Sequence, residues 1–203
     1  MILAYLKITN GHKLNYCTKM LDLTKINQDW TLFLDRDGVI NHDKDNDYIR
    51  NWEEFRFYDS TLEALAILAK KFTRIVIVTN QKGVGRGLMT LEDLQRIHSN
   101  MLEAVDQHGG RIDKIYFCSD LDNDSINRKP NPGMAFQAKA DFPEIDLTRS
   151  LVAGNRTSDM EFGRNAGMHT VFIASTHPET PFPDPRIDLR FDDLLGFAKA
   201  VQG

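Results

Sequence analysis

The sequence predicts an α/β fold: a three-layer, Rossmann-like, mainly parallel sheet with helices on both faces and no cap domain. Three observations predict it. Short apolar runs rich in β-branched and aromatic residues recur without polar alternation, as in strands covered on both faces. Helical patterns lie between them, so strand and helix alternate. The intervals 38–74 and 82–114 each hold a loop and one helix, too little for a separate lid.

Residues 1–28 stand outside the alternation and read as an N-terminal extension, either an edge strand at Leu3–Ile8 or a disordered arm, with Met20 a second candidate start; residues 29–203 form the domain. The strands are expected at Thr31–Leu34, Ile75–Val78, Ile115–Cys118, Leu151–Ala153 and Thr170–Ala174. The first helix, Thr61–Lys71, has apolar residues at helical spacing behind Asp59 or Ser60 as N-cap. The next runs from Thr90 to His108; Thr90 and Asp93 are spaced close to a capping box, and Gly109-Gly110 ends it. Pro132–Ala140 carries proline in its first turn. Asp159–Ala166, stopped by Gly167, and Asp192–Val201 complete the set.

Composition excludes several classes. With 41% hydrophobic and 27% charged residues the chain reads as globular rather than disordered. No run approaches the roughly 20 apolar residues of a membrane-spanning helix. The N-terminus lacks the basic start, long apolar centre and cleavage site of a leader, so a cytoplasmic location is expected. The two cysteines, Cys17 and Cys118, form no CxxC pair and read as free thiols. A net charge of −4 offers no footprint for nucleic acid. Oligomeric state is not encoded legibly.

In open α/β sheets the active site forms at the carboxyl ends of the strands. Asp35-Arg36-Asp37-Gly38 follows the first run, Thr79-Asn80-Gln81 the second, Arg128-Lys129-Pro130 the third, and Gly154-Asn155 through Asp159 the fourth. Asp35 and Asp37, two apart on an extended chain, point the same way. Two carboxylates so placed call for a cation or a shared proton. An oxygen-rich site of this kind suits Mg²⁺ with a phosphate ligand, and a carboxylate can also act as a nucleophile. Thr79 and Asn80 can donate to a phosphoryl oxygen; a turn role is the plainer reading of such a pair. Arg86, in a glycine-rich stretch read as a flexible loop, can fork onto an anionic group. Lys129 can stabilise a phosphoryl group in transfer.

Taken in order, these residues resemble the four motifs of the haloacid dehalogenase superfamily. The strings FLDRDGVIN (Phe33–Asn41), TNQKGVGRG (Thr79–Gly87) and RKPNPGM (Arg128–Met134) are similar to its capless branch, which contains heptose-1,7-bisphosphate and histidinol-phosphate phosphatases. The resemblance covers roughly residues 30–200. It implies that Asp35 attacks phosphorus, that Asp37 serves as general acid and then base, and that Thr79 and Lys129 hold the phosphoryl oxygens. Asn80, Arg86 and Arg128 would contact substrate. Mg²⁺ would be held by Asp35, Asp37 and Asn155, with Asp159 in support.

Two departures stand out. The family usually has Asp where this chain has Asn155, so weaker Mg²⁺ binding is expected. The loop Cys118–Asn127 lacks the cysteines and histidine of a zinc-binding insertion, so no zinc is expected. The reading is a Mg²⁺-dependent phosphomonoesterase of carbohydrate metabolism acting on a small phosphorylated metabolite, first a sugar bisphosphate of the heptose 1,7-bisphosphate type. Histidinol phosphate is the alternative, since Asp120, Asp122 and Asp124 would welcome an amine if they faced inward. A weak phosphate-binding module and a polynucleotide 3′-phosphatase are further alternatives. The two catalytic aspartates argue against the first of these, and net charge against the second.

Overall fold

Six strands form one sheet in the computed structural model, which describes residues 21–45 and 47–203. They are β1 (Thr31–Leu34), β2 (Arg74–Asn80), β3 (Lys114–Cys118), β4 (Ser150–Gly154), β5 (His169–Ile173) and β6 (Leu189–Phe191). Their order is β3-β2-β1-β4-β5-β6, and every pairing is parallel. The chain builds outward from β1 through β2 to β3, then returns to place β4 on the other flank of β1. That reversal is a topological switch point, where loops part and leave a crevice at the carboxyl ends of β1 and β4.

Alternate residues of the inner strands enter opposite layers, as the period of two requires. Leu32, Leu34, Ile75, Ile77, Leu151 and Ala153 face one core, while Phe33, Val76, Val78 and Val152 face the other. The first core is covered by α1 (Thr61–Lys71), α3 (Leu91–Gln107) and α6 (Leu194–Gln202). The second is covered by α4 (Gly133–Asp141) and α5 (Thr157–Ala166). Ile26 is buried in the first core, so the described residues just before β1 pack against the body. Leu3–Ile8, Cys17 and Met20 lie outside the described residues; Cys118 is a buried free thiol.

Three local features differ from expectation. β6 is a strand the periodicity missed, being three residues long and only half-buried. The glycine-rich stretch is ordered as a helical turn, α2 (Lys82–Gly85). It is pinned where Gly83 packs on the Tyr48 ring, a contact tight for a Cβ, and where Gly85 meets the Ser119 carbonyl oxygen, which leaves no room for one. Helix α4 starts at Gly133, with Pro132 in the N-cap position rather than inside the first turn.

Candidate active site

The ends of β1, β2 and β4 and the segment after β3 enclose a cleft of about 640 Å³. Eight of the nine residues singled out by sequence line it: Asp35, Asp37, Thr79, Asn80, Arg86, Arg128, Lys129 and Asp159. Asn155 does not; it lies beneath the cleft floor, fully buried.

Lys129 is the hub. Its Nζ lies 2.8 Å from Asp35 Oδ1 and 2.7 Å from Asp159 Oδ1, and donates to the Val78 carbonyl at 2.8 Å. Burial works against the ammonium, yet the charges of Asp159 and Asp35 outweigh it and hold Lys129 above the ordinary lysine range. Asp35 also accepts from the Arg36 backbone N–H at 2.8 Å. Burial, with the Asp159 charge added, pushes Asp35 up to about 7 despite Lys129. Two carboxylates share one ammonium, so the floor carries surplus negative charge.

Asp37 is held differently. Its carboxylate accepts from Arg36 Nε and Nη2 at 2.8–3.2 Å, from Asn41 Nδ2 at 2.9 Å and from Gln81 Nε2 at 2.9 Å. Gln81 Nε2 also lies 2.9 Å from Thr79 Oγ1. Burial alone would raise Asp37, but the Arg36 charge and these donors hold it below the usual carboxylate range. Gly38 follows at φ +83°, a left-handed turn that an L side chain resists. A Cβ there would also strike the Asn155 amide.

Asn80 ties β2 to the lysine segment: its Nδ2 donates to the Lys129 carbonyl and its Oδ1 accepts from the Lys129 N–H, both at 3.1 Å. The far end of the cleft is basic. The Arg86 guanidinium lies 5.8 Å from the Tyr48 ring centroid. Arg128 Nη1 is buried with no partner among the described residues. Lys82 Nζ donates to Asn123 Oδ1 at 2.6 Å, and burial followed by the Arg128 and Arg86 charges pushes its pKa below the usual lysine range. Asp120, Asp122 and Asp124 are exposed and do not line the cleft, although their neighbour Asn123 does.

Asn155 bears on metal binding. Its Nδ2 donates to Thr176 Oγ1 at 2.6 Å, while its buried Oδ1 has no partner among the described residues. No group of three His, Cys, Asp or Glu converges as metal ligands among the described residues. An amide oxygen is the donor that such a count omits. The Asp35 carboxylate in the cleft and the unpartnered Asn155 oxygen are hard oxygen donors of the kind that suits Mg²⁺.

Sequence reasoning gave no role to Gln81, Asn41, Arg36 or His98. Gln81 was adjacent to a named pair, so strand-end position was its signal. Arg36 is fully buried, and its Nη1 lies 3.1 Å from His98 Nε2. That contact joins residues 62 apart and leaves no trace in local pattern.

Residues 29–172 match the family model described as polynucleotide kinase 3 phosphatase. The D-glycero-alpha-D-manno-heptose-1,7-bisphosphate 7-phosphatase of Mycobacterium tuberculosis is 36% identical over 173 residues, 85% of this chain and 91% of the relative. The D-glycero-D-manno-heptose-1,7-bisphosphate 7-phosphatase of Chlorobaculum tepidum is 33% identical, over 82% of this chain and 92% of its own length. Among solved structures, the D,D-heptose 1,7-bisphosphate phosphatase of B. bronchiseptica, complexed with magnesium and phosphate, superposes with a TM-score of 0.74 at 29% identity. The match covers 83% of this chain and 96% of that one. A HAD-like phosphatase of Mesorhizobium loti superposes at 0.70, also with 29% identity, over 87% of each chain.

Proposed function

The chain belongs to the haloacid dehalogenase-like phosphatases, and from that premise we propose that it removes the 7-phosphate of a sugar bisphosphate of the D-glycero-D-manno-heptose 1,7-bisphosphate type, with Mg²⁺ and through an aspartyl-phosphate. An Asp35 carboxylate oxygen attacks phosphorus as the bond to the sugar oxygen breaks. Lys129 and Thr79 hold the phosphoryl oxygens and offset their charge, which is most of what phosphoryl transfer asks of a protein. Asp37 takes up a proton from solvent as the dianionic phosphoryl group arrives beside it, and passes that proton to the departing sugar oxygen. The carboxylate then accepts a proton from the water that attacks the aspartyl-phosphate and returns it to solvent, which releases inorganic phosphate and restores both Asp35 and Asp37. Asp35, the Asp37 carbonyl and Asn155 Oδ1 would hold Mg²⁺, which supplies charge neutralisation and alignment of the phosphoryl group. Asp159 fixes Lys129, and Asn80 fixes the backbone that carries it.

The basic far end of the cleft supports a second phosphate on the substrate. Arg86 and Arg128 line the cleft, Lys82 outside the lining feels their charges, and the three loop aspartates that would favour an amine also lie outside the lining. The test is phosphate release from heptose 1,7-bisphosphate and from histidinol phosphate, with and without Mg²⁺. The bisphosphate is expected to win by at least ~10-fold in kcat/KM, since a site built around charged partners rejects a ligand that leaves them unpaired. Asp35→Asn should abolish turnover of both while leaving the chain folded. Preference for histidinol phosphate would sink the substrate assignment but keep the phosphatase. Activity that survives Asp35→Asn would sink the mechanism.

A further inference from the structure

Helix α3 turns Leu94, Ile97, Met101 and Val105 into the core. His98 shares that face and is only 8% exposed, at a position where helical periodicity asks for an apolar side chain. Its Nε2 lies 3.1 Å from Arg36 Nη1. A guanidinium only donates, so Nε2 must be the accepting nitrogen and the ring proton must sit on Nδ1. Burial and the Arg36 charge both favour this neutral ring, the Asp37 charge opposing them weakly.

Arg36 is completely buried and has two kinds of partner among the described residues, Asp37 through Nε and Nη2 and His98 through Nη1. A buried donor left unmatched is costly. Without an acceptor at Nη1 the guanidinium would turn toward another partner or admit water. Asp37, which takes the rest of its contacts, would shift with it.

We propose that His98 is a positioning residue: it fixes Arg36, and through Arg36 it fixes the Asp37 carboxylate where the leaving oxygen requires a proton. The inference rests on the phosphatase reading above. It differs from a filler role in one consequence. Misplacing the Asp37 carboxylate slows formation of the aspartyl-phosphate only where the leaving group needs protonation; its later role as base is common to every ester and falls after the steps that kcat/KM reports.

The test compares kcat/KM, which reports steps through departure of the leaving group, on heptose 1,7-bisphosphate and on p-nitrophenyl phosphate. The aryl oxide leaves as a stable anion and needs no acid. In His98→Ala the sugar ester should lose ~10–100-fold, part of what a general acid supplies, and the aryl ester less than ~3-fold. His98→Gln, whose Oε1 can accept from Arg36, should recover most of the loss. Where the alanine variant does not fold, His98→Asn, too short to reach Arg36, replaces it. Equal losses on both esters, or no recovery in His98→Gln, would overturn the proposal. ¹⁵N spectra of the wild-type imidazole are an independent check. A protonated Nδ1 and bare Nε2 at neutral pH are expected, and the opposite tautomer or a cationic ring overturns the contact. A wild-type chain inactive on both esters would overturn the phosphatase reading itself, whatever the spectra give.

Discussion

Asn155 is the uncharged member of the proposed Mg²⁺ ligand set, and its hydrogen bonding suits that role. The NH₂ is spent on Thr176, which leaves Oδ1 bare. The oxygen is offered without a charge, so the floor already burdened by Asp35 and Asp159 gains no third buried anion. In Asn155→Asp, added charge should tighten the metal: the Mg²⁺ concentration for half-maximal turnover is expected to fall ~10-fold, in line with the dependence of such sites on ligand charge. The same variant without Mg²⁺ should lose about 3 kcal/mol of stability, the scale of an uncompensated buried charge. Thermal melts with and without Mg²⁺ would read both effects. An unchanged Mg²⁺ requirement would mean that Asn155 is no ligand.

Helix α3 shows how local signals serve the site at the scale of an element. Thr90 and Asp93 close a reciprocal capping box, with Thr90 Oγ1 accepting from the Asp93 N–H at 3.0 Å and Asp93 Oδ2 from the Thr90 N–H at 3.0 Å. That spacing was legible in the sequence, because caps depend on residues three apart. Thr90→Ala should cost ~1 kcal/mol. Ser60 occupies the same position in α1 but makes no capping bond, so Ser60→Ala should cost only a few tenths of that by the same rule. Urea unfolding of the two variants compares them directly, and equal costs would contradict the geometry. The turn α2 was less legible. Its glycines suggest freedom, yet Tyr48 and Ser119, distant in sequence, fix it.

Acid stability belongs to the whole molecule. Asp188, before β6, joins three elements: it pairs with Arg164 of α5 at 2.6 Å, lies 3.5 Å from His169 Nδ1, and accepts from the Thr170 N–H at 2.9 Å. Burial pushes its pKa up, but His169, Arg164 and the Thr170 N–H together bring it down to about 2 from an ordinary 3.8. The folded pKa lies below the unfolded one, so this contribution is fully present above pH 3.8 and is lost as pH falls through about 2. Asp188→Asn should cost about 2 kcal/mol at neutral pH, and its difference from wild type should close below pH 4. His98 acts higher on the scale. The folded ring resists its proton down to about 3, whereas the unfolded ring binds one near 6.5, so stability falls as pH drops between those values. Asp35, held up at about 7 in the folded chain, contributes the opposite slope over much of this range, so the test is the difference between wild type and His98→Gln in chemical denaturation from pH 7 to pH 2. A difference that stays constant from pH 6.5 to pH 3 would contradict a neutral, buried His98.

The sequence by itself determined the parallel sheet, the alternation of its layers and the strand ends that gather Asp35, Asp37, Thr79 and Lys129. Each of these follows from periodicity or from position along a strand, which neighbouring residues encode. Only the tertiary structure decided the short edge strand β6, the placement of Asp120, Asp122 and Asp124 outside the cleft lining, the orientation of the Asn155 amide and the Arg36–His98 contact. The physical reason is common to all four. Each depends on which groups remain unpaired once distant segments have packed together, and a buried donor or carboxylate takes its partner from space rather than from its neighbours in the chain.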